Sequence, residues 1–216
     1  MLQTARTTLK RLPQRGSHDL DVIHAILDEG LLCHVGFVHE GQPYVIPTTY
    51  VRVGDHLYLH GAVASRMLTT MGRGAAVCVE VTLVDALVLG RSAMHHSMNY
   101  RSVVILGTAQ DVTDVVEKRR ALEALVEHVV PGRMAEVRRP SPNEIAGTRV
   151  LSLPITEASA KIRTGPPIDD EEDYALPFWA GEVPLKMVAG PPVPDPRLAP
   201  GIAAPATVTG YRRRND

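Results

Sequence analysis

The chain has 216 residues, 44% hydrophobic and 22% charged, with a formal net charge of −1. It is long enough to bury a core without disulfide or metal staples, it holds no apolar run approaching the length of a membrane span, and its near-neutral charge excludes a general polyanion binder. Any anion site must be local, built from a few placed arginines and backbone N–H groups, so neither nucleic acid nor membrane is an expected partner.

Residues 1–16 read as a flexible N-terminal arm. The arm is basic but lacks the apolar stretch of a secretory signal. Leu20, Ile23, Ile26 and Leu27 recur at helical spacing, which predicts a helix over Asp19–Glu29 with Gly30 as its C-terminal stop. Strands follow over Leu31–Val38, Tyr44–Val53 and His56–Gly61, separated by turns at Glu40-Gly41-Gln42 and Gly54-Asp55, as in antiparallel hairpins. Ser65 is a candidate N-cap for a short helix to Met71. Two further apolar strands are expected over Ala75–Thr82 and Leu83–Arg91, and a long one over Tyr100–Val112. Cys33 and Cys78 fall inside strand-like apolar runs and read as buried free thiols. The expected compartment is the cytoplasm.

The clearest helix spans Asp114–Val130. Val115, Val116, Leu122, Leu125, Val126 and Val129 form its expected buried side, and Pro131-Gly132 stop it. Ser141-Pro142-Asn143-Glu144 carries an N-cap, a first-turn proline and a reciprocal glutamate, the start of another short helix. A last strand runs from Arg149 to Ile155 and on towards Ile162. The domain is therefore set at residues 17–165. Beyond it, residues 166–216 are a Pro/Gly-rich extension with an acidic run and the single tryptophan, Trp179. The whole reads as a mainly β protein with helical covers, a six- to seven-stranded antiparallel barrel.

Three segments carry a resemblance: Ile46-Pro47-Thr48-Thr49-Tyr50; Leu57 to Ala62 leading to Ser65-Arg66; and Asn99-Tyr100-Arg101-Ser102-Val103-Val104 leading to Gly107. In this order and spacing they resemble the pyridoxamine 5'-phosphate oxidase-like superfamily of FMN-binding split barrels. The closest subgroup is that of flavin-nucleotide-binding and nitroimidazole-resistance proteins. The resemblance implies a homodimer with FMN at the subunit interface. It assigns cofactor contacts to Ile46, Pro47, Thr48, Leu59, His60, Gly61, Ala62, Ser65, Arg66, Asn99, Tyr100, Arg101 and Ser102. Ser65 and Arg66, at a helix start, suit the phosphate. Arg101 is free to face the phosphate or the polar edge of the flavin. His60 matches a histidine beside the cofactor and is the candidate catalytic proton carrier.

The Arg-x-His pair that true pyridoxamine phosphate oxidases carry after a Trp-rich strand is absent here, since Trp179 leads into Ala180-Gly181-Glu182. The expected function is an FMN-dependent oxidoreductase acting on an unidentified small molecule. The alternatives are a non-catalytic flavin carrier and a haem- or deazaflavin-binding relative, the nine histidines making haem worth testing. Adjacent His95 and His96 point to opposite sides of an extended chain, and no third ligand stands at a familiar spacing, so no metal site is expected.

Overall fold

A computed structural model describes residues 2–212; Met1 and residues 213–216, the outer ends of the predicted arm and extension, lie outside the described residues. Ten strands join in one antiparallel sheet that curls without closing. They are β1 (Gly16–Ser17), β2 (Leu32–His39), β3 (Gln42–Val53), β4 (His56–Ala62), β5 (Ala76–Leu89), β6 (Ser97–Thr108), β7 (Gln110–Asp111), β8 (Thr148–Pro154), β9 (Ala158–Arg163) and β10 (Gly181–Pro184). Their spatial order is β1-β9-β6-β5-β2-β3-β4-β8-β7, with β10 added on β5. The helices are α1 (Leu20–Glu29), α2 (Arg66–Gly72), α3 (Val115–Val129), α4 (Pro142–Gly147) and α5 (Ala206–Thr209).

The core fills the concave side of the sheet. Alternation aims Cys33, Val35 and Phe37 of β2, Val77, Val79 and Val81 of β5, and Val103 and Ile105 of β6 into it. α1 and α2 pack there through Ile23, Ile26 and Leu27 and through Met67, Leu68 and Met71. The buried Tyr50 hydroxyl donates to the carbonyl of Leu27 at 2.6 Å, tying the end of α1 to β3. Gly30 follows at that junction as the expected C-terminal stop, with an extended exit at φ −67° and ψ 145°. Glycine is required there by close approach, since a Cβ would lie 2.6 Å from the Tyr50 hydroxyl and from Val81.

Several predicted boundaries change. Ala75–Thr82 and Leu83–Arg91 are one strand, β5, because no turn residue interrupts Val81-Thr82-Leu83-Val84; a bulge between Val84 and Ala86 is the only irregularity in its pairing with β6. The last predicted strand is two, β8 and β9, folded back at Ile155-Thr156-Glu157. Val115 and Val116 are exposed, and Ala121 is the one buried residue of α3 among the described residues. That helix lies on the outer side of the small β4–β8 sheet, against Tyr58 and Val150.

Both ends of the chain are laid against the barrel. In the N-terminal segment β1 pairs with β9, Thr7 is buried, and Arg6 is ion-paired to Glu157. In the extension, β10 pairs with Ala86–Leu89 of β5, and Thr207 of α5 bonds to Glu136 beyond α3. Among the described residues no helix is long and apolar enough to cross a membrane.

Candidate functional site

The fork between β3 and β4 defines the candidate site. β3 pairs with β2 over residues 42–49, but with β4 only over residues 50–53. Beyond Tyr50 and Leu59 the two strands diverge, and Gly61 and Ala62 pair with β8 alone. The side of residues 44–49 turned away from β2 therefore has no strand partner among the described residues. Its backbone N–H and C=O groups are free to meet a polar ligand edge, and unpaired groups of this kind seek partners.

α2 begins at the mouth of this fork. Ser65 caps it, its hydroxyl accepting from the N–H of Leu68 at 3.5 Å. The exposed Arg66 spans the fork, its guanidinium lying over the Tyr44 ring at 4.3 Å from the centroid. Cation–π stacking holds the arginine in place while leaving its N–H donors available. Of the residues expected at a cofactor, Ile46, Pro47, Thr48, Gly61, Ala62, Ser65 and Arg66 gather here. Ile46 and Thr48 turn inward, and Pro47 faces outward opposite His34. Leu59 belongs to the core.

His60 is placed otherwise. A Cβ on its neighbour Gly61 would sit 3.0 Å from Leu68 of α2, so alternation turns His60 to the opposite face. There it lies beneath α3 among Val51, Leu122, Leu125 and Val150. Its Nδ1 is buried without a hydrogen-bond partner, and burial lowers its pKa from the ordinary histidine value.

Asn99, Tyr100, Arg101 and Ser102 lie on β6, separated from β3 by β5 and β2. That is roughly 14 Å, or three strand spacings of about 4.8 Å. One chain thus does not bring them to the fork. Arg101 points inward, held by Glu29 at the end of α1 (2.8 Å from Nη2) and by both carboxylate oxygens of Asp85, at 3.0 and 2.7 Å. Hydrogen bonds donated to these two carboxylates push its pKa further up. Asn99 is buried and bonded on both ends of its amide: it donates to the carbonyl of Gly165 at 3.2 Å and to Glu182, and it accepts from Arg163. Tyr100 and Ser102 face outward, Tyr100 opposite Val84.

The outward side of the large sheet is apolar where β2, β3, β5 and β6 meet. Gly36, Val38, Val45, Cys78 and Leu106 line a groove of about 430 Å³ there. The first turn of the extension holds features that sequence reasoning missed. Asp169 accepts from the N–H and guanidinium of Arg91, both at 2.9 Å. Ligand-type atoms of His95, Asp170 and Asp173 lie within 4.8 Å of one another. The signal was present in the acidic run, but nothing in the sequence pairs it with a histidine some 75 positions earlier.

An open antiparallel barrel with a forked strand pair at a helix start defines a split-barrel protein of the flavin-binding kind. The chain belongs to the pyridoxamine 5'-phosphate oxidase family, whose sequence model matches residues 19–162. Among solved structures it is similar to the flavocytochrome Anf3 from Azotobacter vinelandii, at 41% identity over 97% of both chains and a TM-score of 0.91. It is also similar to the FAD and haem binding protein from Mycobacterium smegmatis, at 36% identity over 91% of this chain and 96% of that one, with a TM-score of 0.87. A candidate 5-nitroimidazole antibiotic resistance protein from Bacteroides thetaiotaomicron is 26% identical over 68% of this chain and 86% of that one, at a TM-score of 0.59. No curated protein sequence matches.

Proposed function

We propose that this chain is a homodimeric flavin- and haem-binding redox protein, with its flavin at the subunit interface. The observation that carries the reading is the reach of the likenesses. The flavocytochrome and the FAD and haem binding protein match over 97% and 91% of the chain, extension included. The resistance protein matches only 68%, about the share held by the family-matched segment. Likeness through the extension therefore goes with haem in the relative's name.

The residues present fit a flavin nucleotide. The free edge of residues 44–49 supplies donors and acceptors for a ring's polar rim, and Arg66 with the α2 start supplies charge for a phosphate. Tyr100 and Ser102, which face outward on β6, complete the pocket from a second copy, since within one chain they lie three strands away. The sequence points to FMN, and the name of the Mycobacterium smegmatis relative points to FAD; we take FAD, which contains the FMN moiety. When bound, a flavin supplies hydride or single-electron transfer. The chain's own part is to bind and orient: Arg66 fixes the phosphate end, the β3 edge fixes the ring, and the outward sheet face excludes water once the partner is seated. His60, on the opposite face from α2, has no path to the fork in its own chain. Its buried environment favours the neutral ring.

For haem, the donor chemistry is also present. His60, His95 and His96 each have a ring nitrogen that no described hydrogen bond occupies, and an apolar sheet face lies open. The substrate is a small molecule, and the setting is cytoplasmic, where Cys33 and Cys78 stay as thiols. The test is the absorption spectrum of the purified protein, the mass of each released cofactor and light scattering. Flavin bands with a Soret band, released FAD and a dimer are expected. A colourless preparation that takes up neither cofactor, or a strict monomer that binds flavin at full affinity, overturns the reading.

A further inference from the structure

The acidic run of the extension is wound into one 3-10 turn, Glu171–Ala175, with Asp170 at its N-cap. The N–H of Asp173 donates to the carbonyl of Asp170 at 2.9 Å. Side chains three apart eclipse on a 3-10 turn, so Asp170 and Asp173 stand on one side of it. Arg91 seats the turn against the loop between β5 and β6. Its N–H and guanidinium both donate to Asp169, and the guanidinium lies over the Tyr174 ring at 4.9 Å from the centroid. Glycine at position 90 permits this approach, since a Cβ there would lie 2.8 Å from Asp169 Oδ1 and from the Cβ of His95.

His95 ends a 3-10 turn in that loop, Ala93–His95, and its ring sits among the carboxylates. Nδ1 lies 3.5 Å from Asp169 and 3.9 Å from Asp173, while Nε2 lies 3.9 Å from Asp170. Yet Nδ1 is buried with no hydrogen-bond partner among the described residues. A buried polar atom without a partner is rare in a folded protein and calls for a cause. Charge is also out of balance here. Arg91 is taken by Asp169, whose side chain is fully buried. Among the described residues, His95 is the one basic side chain within 4 Å of Asp170 or Asp173.

We infer that His95, Asp170 and Asp173 are ligands of one divalent cation of the zinc class, which fastens the extension to the barrel. One ligand-type atom from each residue lies within 4.8 Å of the other two. Zinc holds nitrogen and oxygen ligands at about 2.0–2.2 Å, roughly 3.4 Å from one another around a tetrahedron, so the three close by about an ångström on binding. Asp170 is exposed and free to swing inward, and water completes the coordination on that side. The imidazole selects zinc over magnesium and calcium, which take oxygen ligands. The cation gives the buried ring nitrogen a partner and offsets two carboxylates. It also joins segments some 75 positions apart, which makes its role structural. The inference goes beyond the flavin and haem reading and takes His95 out of the haem donors.

The test uses the full chain, stripped with a chelator and titrated with zinc chloride against a chromophoric competitor. Wild type is expected to take one zinc per chain, with a higher thermal midpoint and slower proteolysis within residues 166–200 once zinc is bound. Asp170→Asn and Asp173→Asn are each expected to weaken uptake at least tenfold while leaving the thermal midpoint of the metal-free protein unchanged. His96→Gln is expected to keep wild-type uptake. A wild type that takes up no zinc, or Asp170→Asn and Asp173→Asn proteins with wild-type affinity, overturns the site. So does zinc that leaves with His96→Gln instead, or that millimolar magnesium displaces.

Discussion

Asn99 donates a hydrogen bond from its side-chain amide to the carboxylate of Glu182, which joins the first β6 residue of the Asn-Tyr-Arg-Ser segment to the strand that the extension adds. The same amide accepts from Arg163 and donates to the carbonyl of Gly165. One buried side chain therefore fastens β6, the end of β9 and the extension together.

Replacing Asn99 by alanine leaves the Arg163 guanidinium without this acceptor in a buried setting. Losing a buried polar partner costs about 1–3 kcal/mol, so Asn99→Ala is expected to lower the unfolding free energy by that order. It should also loosen the extension before the barrel. Denaturant unfolding measures the first effect, and limited proteolysis within residues 166–200 measures the second. Cleavage no faster than in the wild type would show that Asn99 does not hold the extension.

Much of this frame was legible in the sequence. β2, β3 and β4 appear where alternation and turn residues placed them, whereas β5 joins two predicted strands and β8 and β9 divide one, and Ser65 and Ser141 cap the helices they were expected to cap. The segments around Ile46 and Ser65-Arg66 met at one fork, as their resemblance implied. What stayed hidden depended on distant partners. The partners of Asn99 and Arg101 were hidden because a strand sequence says nothing of Glu182, Glu29 or Asp85, which are far from it along the chain. β10 was illegible because its four residues, Gly181 to Pro184, have no alternation of their own and become a strand only against β5. The extended exit at Gly30 reflects the Tyr50 hydroxyl, a tertiary contact that helix-end statistics do not contain.

Arg66→Ala is expected to weaken flavin binding roughly ten- to a hundred-fold, since one charged hydrogen bond is worth about 1.5–3 kcal/mol. Tyr44→Leu, which removes the stacking surface at 4.3 Å, should give a smaller loss of about 0.5–1 kcal/mol by freeing the arginine. Quenching of flavin fluorescence on titration reads both. Equal affinity in Arg66→Ala and wild type would move the phosphate elsewhere.

Arg101→Leu separates a structural arginine from a cofactor-binding one. Without the guanidinium, Glu29 and Asp85 face each other across a half-buried space. Discounted for partial exposure, the loss is expected to be about 1–3 kcal/mol of stability, with flavin per chain unchanged. Arg101→Lys should recover only part of it, because one ammonium cannot meet two carboxylates in the fork geometry of a guanidinium. Loss of flavin at unaltered stability would return Arg101 to the cofactor.

His60 gives the protein a pH dependence with a definite sign. Burial beneath α3 lowers its pKa in the folded state, so between that value and the ordinary histidine value of 6.5 the unfolded chain binds a proton that the folded chain does not. Stability rises with pH wherever the unfolded state binds more protons. The contribution of His60 is thus complete above 6.5 and is lost as the pH falls through the window below it. Urea midpoints taken in steps from pH 7.5 to roughly pH 5 should fall in the wild type by more than in His60→Leu. The leucine keeps an apolar contact with Val51, Leu122 and Leu125 but carries no proton. Parallel curves for the two proteins would mean that the imidazole protonates in place, and that α3 yields to admit water at little cost.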